Sequence, residues 1–226
     1  MDNRETGNMS DQVTPYTNMF AVLLDYLDKA KNDAVKKNVL LNLVALKITT
    51  PYMRFYELEA LFSLGEHNFV IKEIRSYWGG MLDLGATSFW EKYNPNEKGT
   101  EHLAMYGRPY GKSLCHAWGA SPIYLLGKYY LGVKPVTEGY KEFSITPVLS
   151  DMEWMEGSVP TPNGDIKVYM DTKQIKVSAT EGEGYLYFES KSKPSTDKGS
   201  IEAQGSDKYK MKINSDMGEY IIKIEL

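Results

Sequence analysis

The sequence predicts an α-then-β protein of more than one domain, with about five helices followed by an antiparallel β-sandwich. Three observations lead there. Apolar residues recur at helical spacing up to about residue 132, the period falls to two after Pro135, and glycine-containing turn signals separate the alternating runs that follow. The change of period marks the domain boundary, giving residues 14–134 to a helical domain and 135–226 to a β-domain. Residues 1–13 are polar, lack the apolar core of a signal peptide, and are expected to be a disordered N-terminus.

Phe20, Leu23, Leu24 and Leu27 form an amphipathic stripe that predicts a first helix from Met19 to about Asn32. A second stripe, Val35, Val39, Leu40, Leu43 and Val44, predicts a helix from Ala34 to Leu46. Thr50-Pro51 then supplies a cap and an N1 proline for a third helix over 52–64. Apolar residues surround that helix, so it should be buried. Gly65 closes it, and Val70, Ile71, Ile74, Trp78, Met81 and Leu82 define a fourth helix ending at Gly85. After a long polar stretch from 91 to 111, Ser113 to Trp118 leads into a last helix containing Ile123, Leu125, Leu126, Tyr129 and Tyr130. Beyond Pro135, strands are expected around Phe143/Ile145, Ile166/Val168/Met170, Ile175/Val177/Ala179, Tyr185/Tyr187, Tyr209/Met211/Ile213 and Tyr220/Ile222/Ile224. Residues 190–212 read as a solvated edge of the sandwich.

A formal net charge of −4 offers no electrostatic footprint for nucleic acid or an anionic membrane, and favours a neutral or small polar ligand. No apolar run approaches the ~18 residues of a membrane span. The single cysteine, Cys115, excludes an internal disulfide and reads as a small buried residue; cytoplasmic and periplasmic locations both stay open. His67, His102 and His116 have no metal-ligand spacing, so neither a catalytic metal nor a cofactor is expected.

The stretch Gly85-Ala86-Thr87-Ser88-Phe89-Trp90-Glu91 places an acid beside two aromatics. Two readings are open: a helix start capped by Thr87 or Ser88 with core aromatics and a surface Glu91, or a carboxylate with flat apolar walls suited to a sugar ring. A Cys115–His116 dyad is geometrically poor if both lie on a helix, where adjacent side chains diverge by roughly 100°. Trp78 and Trp154 read as core or packing residues.

Together with Ser113-Leu114-Cys115-His116-Ala117-Trp118, Gly139 to Pro147, Thr50-Pro51-Tyr52-Met53 and Tyr77-Trp78-Gly79-Gly80-Met81, this stretch resembles the C-terminal part of bacterial α-L-rhamnosidases of glycoside hydrolase family 78, over about Thr14 to Gly164. The resemblance implies a partial (α/α)6 toroid followed by a β-sandwich, and hydrolysis of terminal α-L-rhamnose with inversion. By motif Glu91 matches the family's general base, and His116 a residue that hydrogen-bonds rhamnose. Trp90 and Trp118 are candidate stacking platforms, while Tyr93 and Arg108, with Tyr106 and Tyr110, are candidates to border the pocket. Glu97 and Glu101 are weaker candidates for a substitute acid. The family's general acid lies upstream of the matched region, so the chain is expected to carry the base side of an active site and, alone, to be inactive. The alternative is a non-catalytic carbohydrate-binding or assembly module. On either reading the open toroid face should expose apolar surface and favour self-association or an upstream polypeptide half.

Overall fold

The computed structural model describes residues 14–42, 44, 45 and 47–226. The disorder expected over 1–13, and the stripe residue Leu43, lie outside them. The chain divides into two compact units between Pro122 and Ile123.

In the first unit the helices are α1 (Pro15–Leu23), α2 (Lys29–Val35, extended by a π-helical turn Lys36–Leu40), α3 (Pro51–Ser63) and α4 (His67–Asp83). The sequence predicts one helix from Met19 to Asn32, but the chain breaks after Leu23. Asp25 adopts a left-handed φ of 56°, and the Asp28 side chain accepts the Lys31 N–H at 2.9 Å to start α2. A cap and a turn override the apolar period. The buried face is correspondingly Met19 and Val22, while Leu24 of the expected stripe is exposed. The second helix also ends earlier than expected: Asn42 Oδ1 accepts the Val44 N–H at 3.0 Å, and Val44 is exposed.

Helix α3 follows the sequence signals closely. Thr50 is extended, Pro51 opens the first turn, and Gly65 at φ 85° takes the chain out. It packs against α1 and α4, with Leu58, Ala60 and Leu61 fully buried. The burial also takes in charge, which hydrophobic period could not reveal. Arg54 and Glu57 are buried with Nη1 2.5 Å from Oε2, Arg54 pairs with Glu73 of α4, and its guanidinium lies 5.7 Å from the Tyr77 ring centroid. Trp78 is buried and donates its Nε1–H to the Gly119 carbonyl at 2.8 Å.

The second unit contains strands β1 (Val133–Pro135), β2 (Glu142–Ile145), β3 (Trp154–Thr161), β4 (Gly164–Asp171), β5 (Gln174–Ala179), β6 (Glu183–Glu189), β7 (Ser195–Thr196), β8 (Ile201–Gly205), β9 (Lys208–Asn214) and β10 (Tyr220–Lys223). They form two five-stranded sheets, ordered β1-β2-β6-β9-β8 and β3-β4-β5-β10-β7. All pairings are antiparallel except β2 with β6. The core is built from alternate residues: Phe143, Ile145, Leu186, Met211 and Ile213 from one sheet, Ile166, Val168, Ile175, Val177 and Ile222 from the other. On β6 the expectation was one residue out of phase. Leu186 and Phe188 face inward, while Tyr185 and Tyr187 stand on the solvent side. Trp154 is exposed rather than core, and stacks on Tyr169 at 6.5 Å.

The last helix, α5 (Ser121–Leu125), continues as a π-helical turn Leu126–Tyr130 that packs on β1 and β3. The division of the chain therefore falls ahead of Pro135, where the hydrophobic period changes.

Candidate active site

The candidate site lies on the non-helical chain that follows α4. Gly85 turns the backbone at φ 87°, and the chain then runs without helix to the 3-10 turn Gly99–Leu103. Thr87 and Ser88 cap no helix, contrary to the helix-start reading. Residues 89–91 run instead beside 113–116: the Glu91 N–H donates to the Ser113 carbonyl at 2.9 Å and the His116 N–H to the Phe89 carbonyl at 2.8 Å. Gly119 allows this close approach. A Cβ there would lie 2.8 Å from the Phe89 Cβ and 2.9 Å from the Trp90 carbonyl oxygen.

This pairing buries Glu91, which retains 5% of its exposure. Both carboxylate oxygens are held. Oε1 accepts the Tyr106 hydroxyl at 2.5 Å, Oε2 accepts the Ser113 N–H at 3.1 Å, and His116 Nδ1 lies 3.9 Å from Oε2. The Tyr106 hydrogen bond, with smaller help from Ser113, His116 and Lys112, holds the Glu91 carboxyl below its usual range against the opposing effect of burial. Glu91 is thereby ionised at neutral pH, the state that a general base requires.

Tyr106 reaches Glu91 from a tight hairpin. Met105 and Arg108 exchange both backbone hydrogen bonds, at 3.0 and 2.9 Å, and the two residues between them, Tyr106 and Gly107, have φ of 54° and 72°. Two successive left-handed residues are the geometry of a type I′ turn, in which a non-glycine first residue is tolerated at some conformational cost. Only Gly107 matches the residue preference of this turn, Tyr106 being disfavoured at its first position, and the fifteen-residue reach back to Glu91 has no local signature.

A buried ion cluster anchors the same loop. Lys112, its side chain fully buried, places Nζ 3.3 Å from Glu97 Oε2 and 5.9 Å from the Trp90 ring centroid; Lys92 Nζ lies 3.0 Å from Glu97 Oε1. Burial opposes ionisation of Glu97, but hydrogen bonds and charge from Lys92 and Lys112 prevail and hold its carboxyl below the usual range. A carboxylate so stabilised is a poor proton donor, which argues against Glu97 as a substitute acid. Glu101 is occupied as a cap, accepting the Lys98 N–H at 2.7 Å.

Beside Glu91 stands an aromatic group. His116 and Trp118 rings are 4.1 Å apart, and Trp118 stacks on Tyr52 of α3 at 5.4 Å and 30°. Trp118 and Tyr52 are both substantially exposed. His116 is in extended conformation, φ −129°, rather than on a helix, and Cys115 is exposed rather than buried. The structure thus brings Glu91, His116 and Trp118 together with Tyr106, one of the loop candidates, and adds Tyr52 and Ser113.

The other candidates lie elsewhere. Trp90 is buried and lines a hollow of about 290 Å³ with Leu84, Thr87, His102 and Leu114, a lining that includes none of Glu91, His116 or Trp118. Tyr93 is an interior residue: its ring packs on His102 and edge-on to Tyr77, and its N–H donates to the Tyr77 hydroxyl at 3.2 Å. Arg108 is exposed and closes the hairpin through its backbone. Adjacency to an acid in sequence suggested pocket walls, but neighbouring side chains of a non-helical chain diverge. Among the described residues no three His, Cys, Asp or Glu side chains cluster to hold a metal ion.

A helical unit carrying a hydrogen-bonded carboxylate beside exposed aromatics is followed in the chain by a two-sheet β-unit. Residues 132–180 match the bacterial alpha-L-rhamnosidase C-terminal domain. An alpha-L-rhamnosidase of Alteromonas sp. (strain LOR) is 34% identical over 110 residues, 45% of this chain and 11% of that protein. The crystal structure of a family 78 rhamnosidase of Bacillus sp. GL1 superposes with a TM-score of 0.60 at 31% identity, over 76% of this chain and 17% of that one. The alpha-L-rhamnosidase from Dictyoglumus thermophilum shares the fold, with a TM-score of 0.70 at 17% identity, over 94% of this chain and 25% of that one. Over these stretches the chain is similar to the C-terminal part of bacterial α-L-rhamnosidases, one of them of glycoside hydrolase family 78. It spans 11% to 25% of the length of these three relatives.

Proposed function

We propose that this chain carries the general-base half of an inverting α-L-rhamnosidase active site, with Glu91 as the base and a rhamnose-containing glycoside as the substrate. The observation that carries the reading is the clamp on Glu91. A buried carboxylate kept ionised by Tyr106 and Ser113, beside the His116–Trp118–Tyr52 group, is equipped to orient and deprotonate a water next to a sugar ring. His116 supplies a polar contact and Trp118 an apolar face. The general acid comes from polypeptide outside these residues, and in an inverting site it would stand about 6.5–9.5 Å from the base so that water fits against the sugar. Catalysis by the chain therefore requires that second half, supplied by a longer polypeptide or an associating one.

Calorimetric titration of the chain with L-rhamnose, alongside hydrolysis of an aryl α-L-rhamnoside, tests this. Binding weakened by His116→Ala and Trp118→Ala, with no turnover by the isolated chain, is expected. Turnover by the isolated chain would overturn the assignment of the acid to another segment, and binding indifferent to both substitutions would overturn the sugar platform.

A further inference from the structure

The β-unit contains a second concave site. A hollow of about 320 Å³ lies on the sheet β1-β2-β6-β9-β8, lined by Glu142, Ser144, Glu183, Tyr185, Tyr187 and Lys212 among others. Its composition follows from register. Glu142 pairs with Glu183, Ser144 with Tyr185, Tyr185 with Lys212, and Tyr187 with Lys210. Alternate residues on the same strands, Phe143, Leu186, Met211 and Ile213, are buried, so these side chains share the solvent face.

The tyrosines lie 6.3 Å apart and are tilted 45° to each other, each a little over one-third exposed. They are held rather than loose: Lys210 Nζ sits 3.8 Å from the Tyr185 ring centroid, and Lys212 Nζ pairs with Glu183 at 2.6 Å. The charges of Glu142, Glu183, Lys210 and Lys212 balance. A strongly charged ligand would find no uncompensated counter-charge among them, whereas a neutral polyol finds carboxylate acceptors, ammonium and hydroxyl donors, and aromatic faces for its C–H groups. The volume is at the lower end of small-molecule sites, roughly 300–1,000 Å³.

We propose that this hollow binds a neutral saccharide of one or two pyranose rings, on residues that share nothing with the Glu91 site and independently of the function proposed for that site. The site would hold a glycan chain to the protein through the β-unit.

The test is an amide-resolved NMR titration of the full chain with L-rhamnose, D-galactose, cellobiose and lactose at millimolar concentrations. At least one sugar is expected to shift Ser144, Gly184, Tyr185, Tyr187 and Lys212 together. The Tyr185→Ala/Tyr187→Ala variant should weaken that response about ten-fold or more, Lys212→Ala should weaken it without touching an aromatic, and a His116→Ala/Trp118→Ala variant should leave it unchanged. Native amide spectra establish that each variant folds. No shifts at these residues with any of the sugars, shifts unaffected by both β-unit variants, or self-association of the chain that the tyrosine variant abolishes would each overturn the proposal, the last by assigning the face to a second copy.

Discussion

Replacing Lys112 by methionine preserves the aliphatic stem and removes one ammonium group from the interior of the helical unit. That ammonium lies 3.3 Å from Glu97 Oε2 on a side chain with no exposure, while Glu97 retains 17% of its own. Breaking a fully buried ion pair costs about 3–5 kcal/mol. Here Glu97 keeps Lys92 at 3.0 Å and some contact with water, so the expected loss falls to about 2 kcal/mol. Glu97→Gln is the harsher change, because it strands a wholly buried ammonium, and about 3 kcal/mol is expected. The double variant should lose at least about 1 kcal/mol less than the sum, since the two groups act on each other. Urea unfolding followed by amide hydrogen exchange within residues 51–119 reads the first unit without assuming that the whole chain unfolds in one step. Lys112 immediately precedes Ser113, whose N–H holds Glu91, so the single variants should also speed exchange at Ser113. A Lys112→Met variant within about 0.5 kcal/mol of the parent, or strict additivity in the cycle, would refute the anchoring role of the pair.

Three further outcomes follow from the same geometry. Gly80→Ala would set a Cβ 2.2 Å from the Tyr93 hydroxyl and 2.6 Å from Cζ, so Tyr93 must move; a loss of about 1–3 kcal/mol in urea unfolding is expected, smaller in the Gly80→Ala/Tyr93→Phe background, and a neutral Gly80→Ala would contradict this packing. Glu91 has a carboxyl held below its usual 4.5, so its contribution to stability is present above that value and is lost as pH falls through its folded pKa; Tyr106→Phe should move the loss to higher pH, read from the Glu91 side-chain ¹³C titration, and an unmoved midpoint would exclude Tyr106 as the main cause. Gly119→Ala should disturb the pairing of 89–91 with 113–116 and weaken rhamnose binding along with stability, whereas Gly79→Ala, in the interior of α4 with open space for a new Cβ, should leave binding unchanged and raise stability by about 0.5–1 kcal/mol.

The legibility of the fold in the sequence tracked how local its determinants are. Helix α3 announces both ends, through Thr50-Pro51 and Gly65, and α4 carries an unambiguous stripe. The break between α1 and α2 was hidden because Leu24 and Leu27 continue an apolar period that Asp25 and Asp28 interrupt with their own backbone chemistry. On β6 the run Tyr185-Leu186-Tyr187-Phe188 is apolar on both phases, so period alone could not choose the inner face. Strands β1, β3, β7 and β8 went unread; Pro160 and Gly157 obscured β3, and the others are short or polar. Glu91, His116 and Trp118 are candidates from the motifs around them, and the structure places them beside one another. The clamp was not legible, because a backbone N–H at Ser113 has no residue type and the Tyr106 contact depends on a hairpin folding back. Trp90 and Tyr93, candidates by adjacency to Glu91 and by place on the long loop, are both buried, and Trp90 lines a different hollow.

The most direct test of Glu91 as general base is turnover. Supplied with the preceding part of a family 78 rhamnosidase, the chain should support hydrolysis of an aryl α-L-rhamnoside with release of the β-anomer first, and Glu91→Gln should lower the rate by about 10²–10⁴-fold. Release of the α-anomer first, or turnover that survives Glu91→Gln undiminished, would contradict the account.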